Sequence, residues 1–338
     1  MLHLAGVSVI VSSEFVAVQL VSVIITAYNY GRYLPDALQS CRAQTYRPIE
    51  IIVVDDGSTD NTREVVAGFP EVKYIYQDNQ GPAAGRNTGL RYAQGEFIQL
   101  LDADDTISPT KIARCVQAYR EHPEAGLVYT DFVICHPDMQ PWAGRQRRWS
   151  MPQGNNVLPL IIQRINPFFA NHCALIRRQS IAAVGGFNEK LKNGEDWFLW
   201  VRMAANGVNF YFIDEPLAQY RMTPNSFSKN RLQAAYNKLL AREELRAIPE
   251  IAAAVNLDQA IGVQHVNLAM LHWQYGSRVK ARHHLRSAIQ IQNANRRRRH
   301  LLILGTYFLP ASVALWGQRT LYKIRKVFAH RLARSLVI

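Results

Sequence analysis

The run Phe97-Ile98-Gln99-Leu100-Leu101-Asp102-Ala103-Asp104-Asp105 restricts this chain more than any other stretch. A mostly apolar segment of strand length ends at three carboxylates within four residues, as a buried strand does when it delivers acids to the rim of a sheet. Side chains alternate along an extended chain, so Asp102 and Asp104 point the same way and can grip one divalent cation from one side. Oxygen ligands of this kind suit Mg2+ or Mn2+, and the ion would also hold a substrate diphosphate. A solvated acidic turn explains the same letters, with Asp105 or Thr106 capping a helix that Pro109 helps to start. Neighbouring segments decide between the two.

Three earlier segments repeat the pattern of strand, polar turn and helix. Leu20–Thr26 is a β-branched buried run followed by the turn Ala27–Gly31, and a helix over about 33–44 puts Leu34, Ala37, Leu38 and Cys41 on one face. Ile49–Val54 runs into Asp55-Asp56-Gly57-Ser58-Thr59-Asp60, where Ser58 or Asp60 can cap the next helix. Val72–Tyr76 leads to Asn79-Gln80-Gly81-Pro82 and a helix through Arg86 to Ala93. Strands alternating with helices imply a parallel sheet, whose ligands sit beyond the carboxyl ends of the strands. Each of these polar turns falls at such an end.

Several of these stretches resemble glycosyltransferase family 2, the inverting nucleotide-sugar transferases of the GT-A fold. The matching text is VSVIITAYNYGRYLPDALQSCRAQTYRPIEIIVVDDGSTDNT, then GPAAGRNTGL, then LLDADD, then GGFNEKLKNGEDWFLWVRMA and EPLAQYR, together spanning roughly residues 20–228. The resemblance implies an α/β GT-A (Rossmann-like) fold, with a mixed, mainly parallel sheet flanked by helices. It divides that stretch into a nucleotide-binding half, 20–120, and an acceptor half, 121–228.

The same resemblance implies roles. Asp55 and Asp56 would bind the nucleoside, Asp56 reading the base, by accepting charge-assisted bonds from an imide N–H or ribose hydroxyls. Thr26 would touch the nucleoside and Arg86 the diphosphate. Asp102 and Asp104 would hold the metal, Asp104 more directly, and the ion would neutralise the departing diphosphate as a Lewis acid. Asp196, in Glu195-Asp196-Trp197, would be the general base. Asn193 and Gly194 precede the apolar periodic run Phe198, Leu199, Val201, Met203, so these acids fall in a first helical turn, where the helix dipole keeps a carboxylate ionised. Glu195 would contact the acceptor or orient Asp196, with Trp197 beside it at the substrate. Arg221 would serve the diphosphate. Where relatives commonly read Tyr-Arg-x-His, this chain has Tyr220-Arg221-Met222-Thr223, which removes a histidine from that loop. Residues 136–155, rich in Pro, Arg, Gly and Trp, read as a loop that covers the acceptor.

Charge separates the remainder. From Gln259 to Ile338 there are 14 Lys and Arg and no acid, so this block accounts for the whole net charge of +13 and the rest of the chain is close to neutral. Such a block calls for an anionic partner. Arg296–Arg299 is followed by Leu301–Gly317, 17 residues without a charge, which a nucleic-acid tail rarely carries. That run is short of the ~20 residues a membrane span needs, and Pro310 interrupts it, so a helix lying in the interface of an anionic leaflet fits better.

Residues 229–295 form a helical extension, within which Leu268–Ala288 resembles one tetratricopeptide-like helical pair. The pair His283-His284 reads as a surface feature. Residues 1–19 read as an extension and not a secretion signal, because no Lys or Arg precedes Val7–Val11 and Glu14 interrupts it. Four scattered cysteines without a Cys-x-x-Cys pair fit thiols of a reducing cytosol.

Together these readings describe an inverting transferase that uses a UDP-sugar, a glycan or lipid-linked acceptor and an anionic membrane surface, and no nucleic acid. It would lie peripherally on the cytoplasmic face. The rival from another class is a catalytically silent nucleotide-sugar-binding scaffold.

Overall fold

A computed structural model describes residues 19–142, 151–163, 170–223 and 230–291. The expectations for 1–18, for 143–150 within the 136–155 loop and for the basic tail from 292 onward lie outside the described residues. In chain order the elements are β1 (Val21–Ala27), α1 (Leu34–Arg42), β2 (Ile49–Asp55), α2 (Thr62–Ala67), β3 (Val72–Tyr76), α3 (Pro82–Tyr92), β4 (Phe97–Asp102), β5 (Thr106–Ile107), α4 (Lys111–Glu121) and β6 (Ala125–Cys135). There follow α5 (Leu158–Gln163), β7 (Ala174–Arg177), α6 (Arg178–Ala183), α7 (Glu195–Ala205), β8 (Asn209–Arg221), α8 (Arg231–Arg246), α9 (Pro249–Ala254), α10 (Leu257–Gln274) and α11 (Arg278–Ile291).

The chain separates into two compact units, Met1–Trp149 with Phe169–Gly186 and Asn209–Arg221, and Ser150–Phe168 with Phe187–Val208 and Met222–Ile338. The first holds an eight-stranded sheet in the order β3-β2-β1-β4-β7-β6-β8-β5. The pairs β1/β2, β1/β4, β2/β3 and β6/β8 are parallel, while β4/β7, β6/β7 and β5/β8 are antiparallel. This is the mixed GT-A sheet that the sequence led us to expect. β1 and β4 are buried almost throughout, which explains why both read as continuous apolar runs. One face of β1, with Val21, Val23, Ile25 and Ala27, joins Leu34, Ala37, Leu38 and Cys41 of α1 in the core. The other face meets α3, where a Cβ on Gly89 would strike the Ile24 side chain, so α3 approaches the sheet at a distance only glycine allows.

The second unit is helical. α7 is apolar on nearly every side, burying Trp197, Phe198, Leu199, Trp200, Val201 and Met203. Trp197 donates its indole N–H to the Ile161 carbonyl at 3.1 Å, and the Arg242 guanidinium lies 4.7 Å from the Trp197 ring centroid. The boundary at 228/229 drawn from the sequence therefore does not separate the two units, because α7 packs with α5, α8 and α9. α10 and α11 form the helical pair, with Gly276 at φ +79° between them.

His284 is buried, which corrects the surface reading of that pair; His283 is exposed. The reason is helical phase: Ala281, His284, Leu285 and Ala288 form the buried face of α11. His284 Nδ1 lies 3.0 Å from His265 Nδ1, and the Tyr236 hydroxyl bridges His284 Nε2 at 3.1 Å and His272 Nε2 at 2.7 Å. One neutral tautomer of each ring satisfies this chain of contacts. Burial, then the neighbouring His265, His272, His283 and Lys280, pushes His284 down to about 4, and burial lowers His265 and His272 too. An unfolded histidine takes up its proton near 6.5. Stability from His284 is thus complete above that pH and is lost as pH falls from about 6.5 toward 4. Allowing for solvent screening, the loss is about 1–2 kcal/mol. Urea unfolding across that window should show it, and His284→Asn should flatten the profile; a slope unchanged by the substitution would refute the assignment.

Candidate active site

Sheet register assembles the site. Thr26 on β1 lies opposite Asp102 on β4, and Ala27 lies opposite Asp55 on β2, so the polar ends of three adjacent parallel strands form one row. The turns beyond them are bonded together. Asn29, at φ +58°, accepts from the Thr59 N–H at 2.8 Å, its own N–H donates to Ser58 Oγ at 2.9 Å, and Asp60 Oδ2 accepts from the Gly31 N–H at 2.9 Å.

Asp55 and Asp56 are both buried. Asp55 accepts from the Ser58 N–H at 2.8 Å and the Tyr74 hydroxyl at 2.7 Å. Asp56 accepts from Gln77 Nε2 at 2.7 Å, the Gln80 N–H at 3.0 Å and the Gly81 N–H at 2.8 Å. The Asp56 carboxylate thus anchors the loop between β3 and α3, a task its motif does not announce. Thr26 sits under α3, where a Cβ on Gly85 would come within 3.2 Å of its methyl group.

Arg86 does not lie open on its helix. It is buried, and its Nη2 donates to Asp102 Oδ1 at 2.7 Å. Burial pushes the Asp102 carboxyl up, but Arg86, with His172 and Asn171, holds it below the usual carboxylate value. Asp104 goes the other way: burial, then the nearby Asp105 and Asp102, push it up to about 8.

Neither Asp105 nor Thr106 caps α4, whose N-cap is Thr110, while Thr106 belongs to β5. Asp105 is fully buried, with Oδ2 2.8 Å from His172 Nδ1 and Oδ1 accepting the Arg221 N–H at 2.8 Å. Arg221 is also buried and committed within the protein: Nε donates to the Asp104 carbonyl at 2.8 Å, Nη1 to the Pro137 carbonyl at 2.8 Å and Nη2 to Asp36 Oδ2 at 2.6 Å. Its guanidinium lies 4.9 Å from the Tyr33 ring centroid. The pairing of Thr106 with Gln219 and Ile107 with Ala218, continued along β8, brings Arg221 opposite Asp104.

His172 was missed from the sequence, where Asn171-His172-Cys173 carries no motif spacing. Asp102, Asp105 and His172 each offer one ligand atom, all within 4.8 Å of one another. His172 is fully buried and its Nε2 has no hydrogen-bond partner among the described residues. Two carboxylates with one imidazole fit Mn2+ or Mg2+. Asp104, the residue that the sequence put forward as the more direct ligand, adjoins this cluster without belonging to it.

Glu195, Asp196 and Trp197 open α7 in the second unit, after Gly194 at φ +78°. Asp196 Oδ1 accepts from the Trp197 N–H at 2.6 Å, and Glu195 is buried.

Residues 22–185 match the family model for glycosyl transferase family 2. This stretch is a glycosyltransferase family 2 domain. An uncharacterized glycosyltransferase of Rickettsia felis is 30% identical over 62% of this chain and 35% of its own length. The chain covers about a third of that relative, as it does of similar glycosyltransferases from Nostoc and Rickettsia conorii. The putative teichuronic acid biosynthesis glycosyltransferase TuaG of Bacillus subtilis is 26% identical over 68% of this chain and 89% of its own. Among solved structures, Staphylococcus aureus TarS 1–349 in complex with UDP superimposes with a TM-score of 0.57 at 22% identity, covering 81% of each chain. The mannosyltransferase PcManGT from Pyrobaculum calidifontis, in complex with GDP-Man and Mn2+, gives 0.54 at 21% identity over 90% of this chain and 84% of its own. At such identities the likeness is one of fold. In this chain the family 2 domain carries its helices on a mixed sheet, with the acidic turn at the end of β4.

Proposed function

We propose that this chain is an inverting, divalent-cation-assisted glycosyltransferase that moves a sugar from a UDP-sugar to a hydroxyl of a glycan or lipid-linked acceptor. The observation that carries the reading is the set of polar ends on three adjacent parallel strands, Thr26 opposite Asp102 and Ala27 opposite Asp55, with Arg86 and the acidic turn beside them, inside a family 2 match. The UDP complex of TarS supports a uridine donor, the name of TuaG supports a role in cell-surface polysaccharide synthesis, and the PcManGT complex supports Mn2+.

Asp55 and Asp56 shape the nucleoside end, Asp56 by holding the loop 77–81 and Asp55 by fixing the turn at Ser58. Thr26 lies beside them at the ribose. Asp102 and Asp104 would hold the cation, and Asp105 and His172, whose ligand atoms lie within 4.8 Å of that of Asp102, would be further ligands. A divalent ion held there would supply the positive charge that the departing diphosphate needs. Arg86 contributes a second positive charge at the same place. Asp196 takes the proton from the acceptor hydroxyl, Glu195 orients it, and Trp197 borders the acceptor. The basic tail places the enzyme peripherally on the anionic, cytoplasmic face of a membrane, near lipid-linked acceptors. Among the described residues no helix is long and apolar enough to cross a membrane.

The decisive measurement is binding and turnover of a panel of nucleotide sugars with Mn2+, Mg2+ or EDTA. One donor should bind with the cation and not with EDTA. Asp104→Ala should weaken that binding by at least the roughly 10–100-fold that even an outer-shell change costs a metal site. Absence of binding by every donor under every metal condition would overturn the enzyme reading in favour of a scaffold.

A further inference from the structure

α11 turns two chemically different faces outward and inward. Ala281, His284, Leu285 and Ala288 face the helical unit. Arg278, Val279, Lys280, Arg282, His283, Arg286 and Gln290 are exposed. At 100° per residue the buried set centres opposite the arc that holds Arg282, Arg286 and Val279. Val279 is 79% exposed, and Tyr275, in the turn just before the helix, is 62% exposed. No Asp or Glu occurs on α11 or anywhere from Gln259 onward, so the outer face of the helix is uniformly basic in sequence.

A stripe of cations around an exposed aliphatic and an exposed aromatic side chain is the surface a lipid headgroup layer accepts: the cations meet phosphates while Val279 and Tyr275 enter the headgroup boundary. We propose that the outer face of α11 docks on an anionic bilayer. The proposal rests on the membrane placement above and assigns it to a folded, described surface. Each basic residue near such a surface raises partitioning about fivefold. Four of them on α11 give only marginal attachment, so the face acts as one of two signals, the other being the basic segment that begins five residues after Ile291, at Arg296.

The test is flotation of the full chain with phosphatidylcholine vesicles and with vesicles containing phosphatidylglycerol. Lys280→Gln, Arg282→Gln and Arg286→Gln together should weaken binding to the anionic vesicles about a hundredfold. The control combines Arg63→Gln, Lys73→Gln and Arg120→Gln, exposed positions of the sheet unit with the same total charge. It should change binding by less than about threefold. Equal loss in both triples would mean that net charge alone acts, and no loss in the α11 triple would mean that the tail alone acts; either overturns the proposal. Binding of heparin or RNA in place of anionic vesicles, lost in the same triple, would assign the face to a soluble polyanion and overturn the lipid assignment. Val279→Asp should weaken vesicle binding further, whereas a purely electrostatic partner would respond to it no more than to one lost cation. Nucleotide-sugar binding measured on the same samples separates failure of the docking surface, which leaves it intact, from failure of the transferase reading, in which the native chain lacks it too.

Discussion

Arg221→Met is expected to lower the midpoint of thermal unfolding by about 6 °C. The substitution keeps the backbone N–H that serves Asp105 but removes the donors to the carbonyls of Asp104 and Pro137. An orphaned buried acceptor costs about 1–3 kcal/mol, and since Pro137 is exposed and its carbonyl can turn to water, the Asp104 carbonyl carries most of the loss, about 2 kcal/mol. For a unit of this size each kcal/mol shifts the midpoint by roughly 2–4 °C. Asp36 is half-exposed and turns to water when its partner goes, so it adds little. Arg221→Lys should recover little of the loss, because an ammonium cannot span three acceptors in the planar fork. Cation-dependent donor binding should weaken as well, since Arg221 Nε holds the backbone of Asp104. An unchanged melting curve would show that the clamp is dispensable.

Asp196→Asn is expected to reduce transfer by about 10²–10⁴-fold, the usual contribution of a positioned general base, while donor affinity stays within about twofold. The amide is nearly isosteric, and its oxygen can still accept the Trp197 N–H that Asp196 Oδ1 accepts now, so α7 should keep its first turn. Pre-steady-state transfer and donor titration on the same preparation read the two quantities separately. A variant that transfers normally would remove Asp196 from the mechanism; one that loses donor binding would make it a binding residue.

Much of the sheet unit was legible before any coordinates. β1 and β4 are covered on both faces, so burial writes them as unbroken apolar runs, and Val72–Tyr76 coincides with β3. α1 presents the four buried positions its 3.6-residue period announces. The acidic and polar turns could be placed at strand ends because each follows its own strand directly. Local order of this kind is carried by neighbours in the chain, and hydrophobic periodicity is a statement about neighbours.

What the side chains do to one another was decided by tertiary structure. Arg221 reaches Asp104 and Asp105 because β8 pairs with β5, bringing together residues more than 110 positions apart, and Asp36 is 185 positions away. His172 meets Asp105 through the return of the chain into β7, and nothing near Asn171 in the sequence signals it. Arg86 has the composition of an open helix arginine and becomes the partner of Asp102 because Gly85 and Gly89 let α3 close on β1. His284 looked exposed beside His283 until the phase of α11 placed it with Tyr236 and His265. A single chain records which groups are available and which local element carries them. Which acid meets which base follows from strand order and helix docking, where loop closure lets distant segments come together at a cost that grows only slowly with their separation.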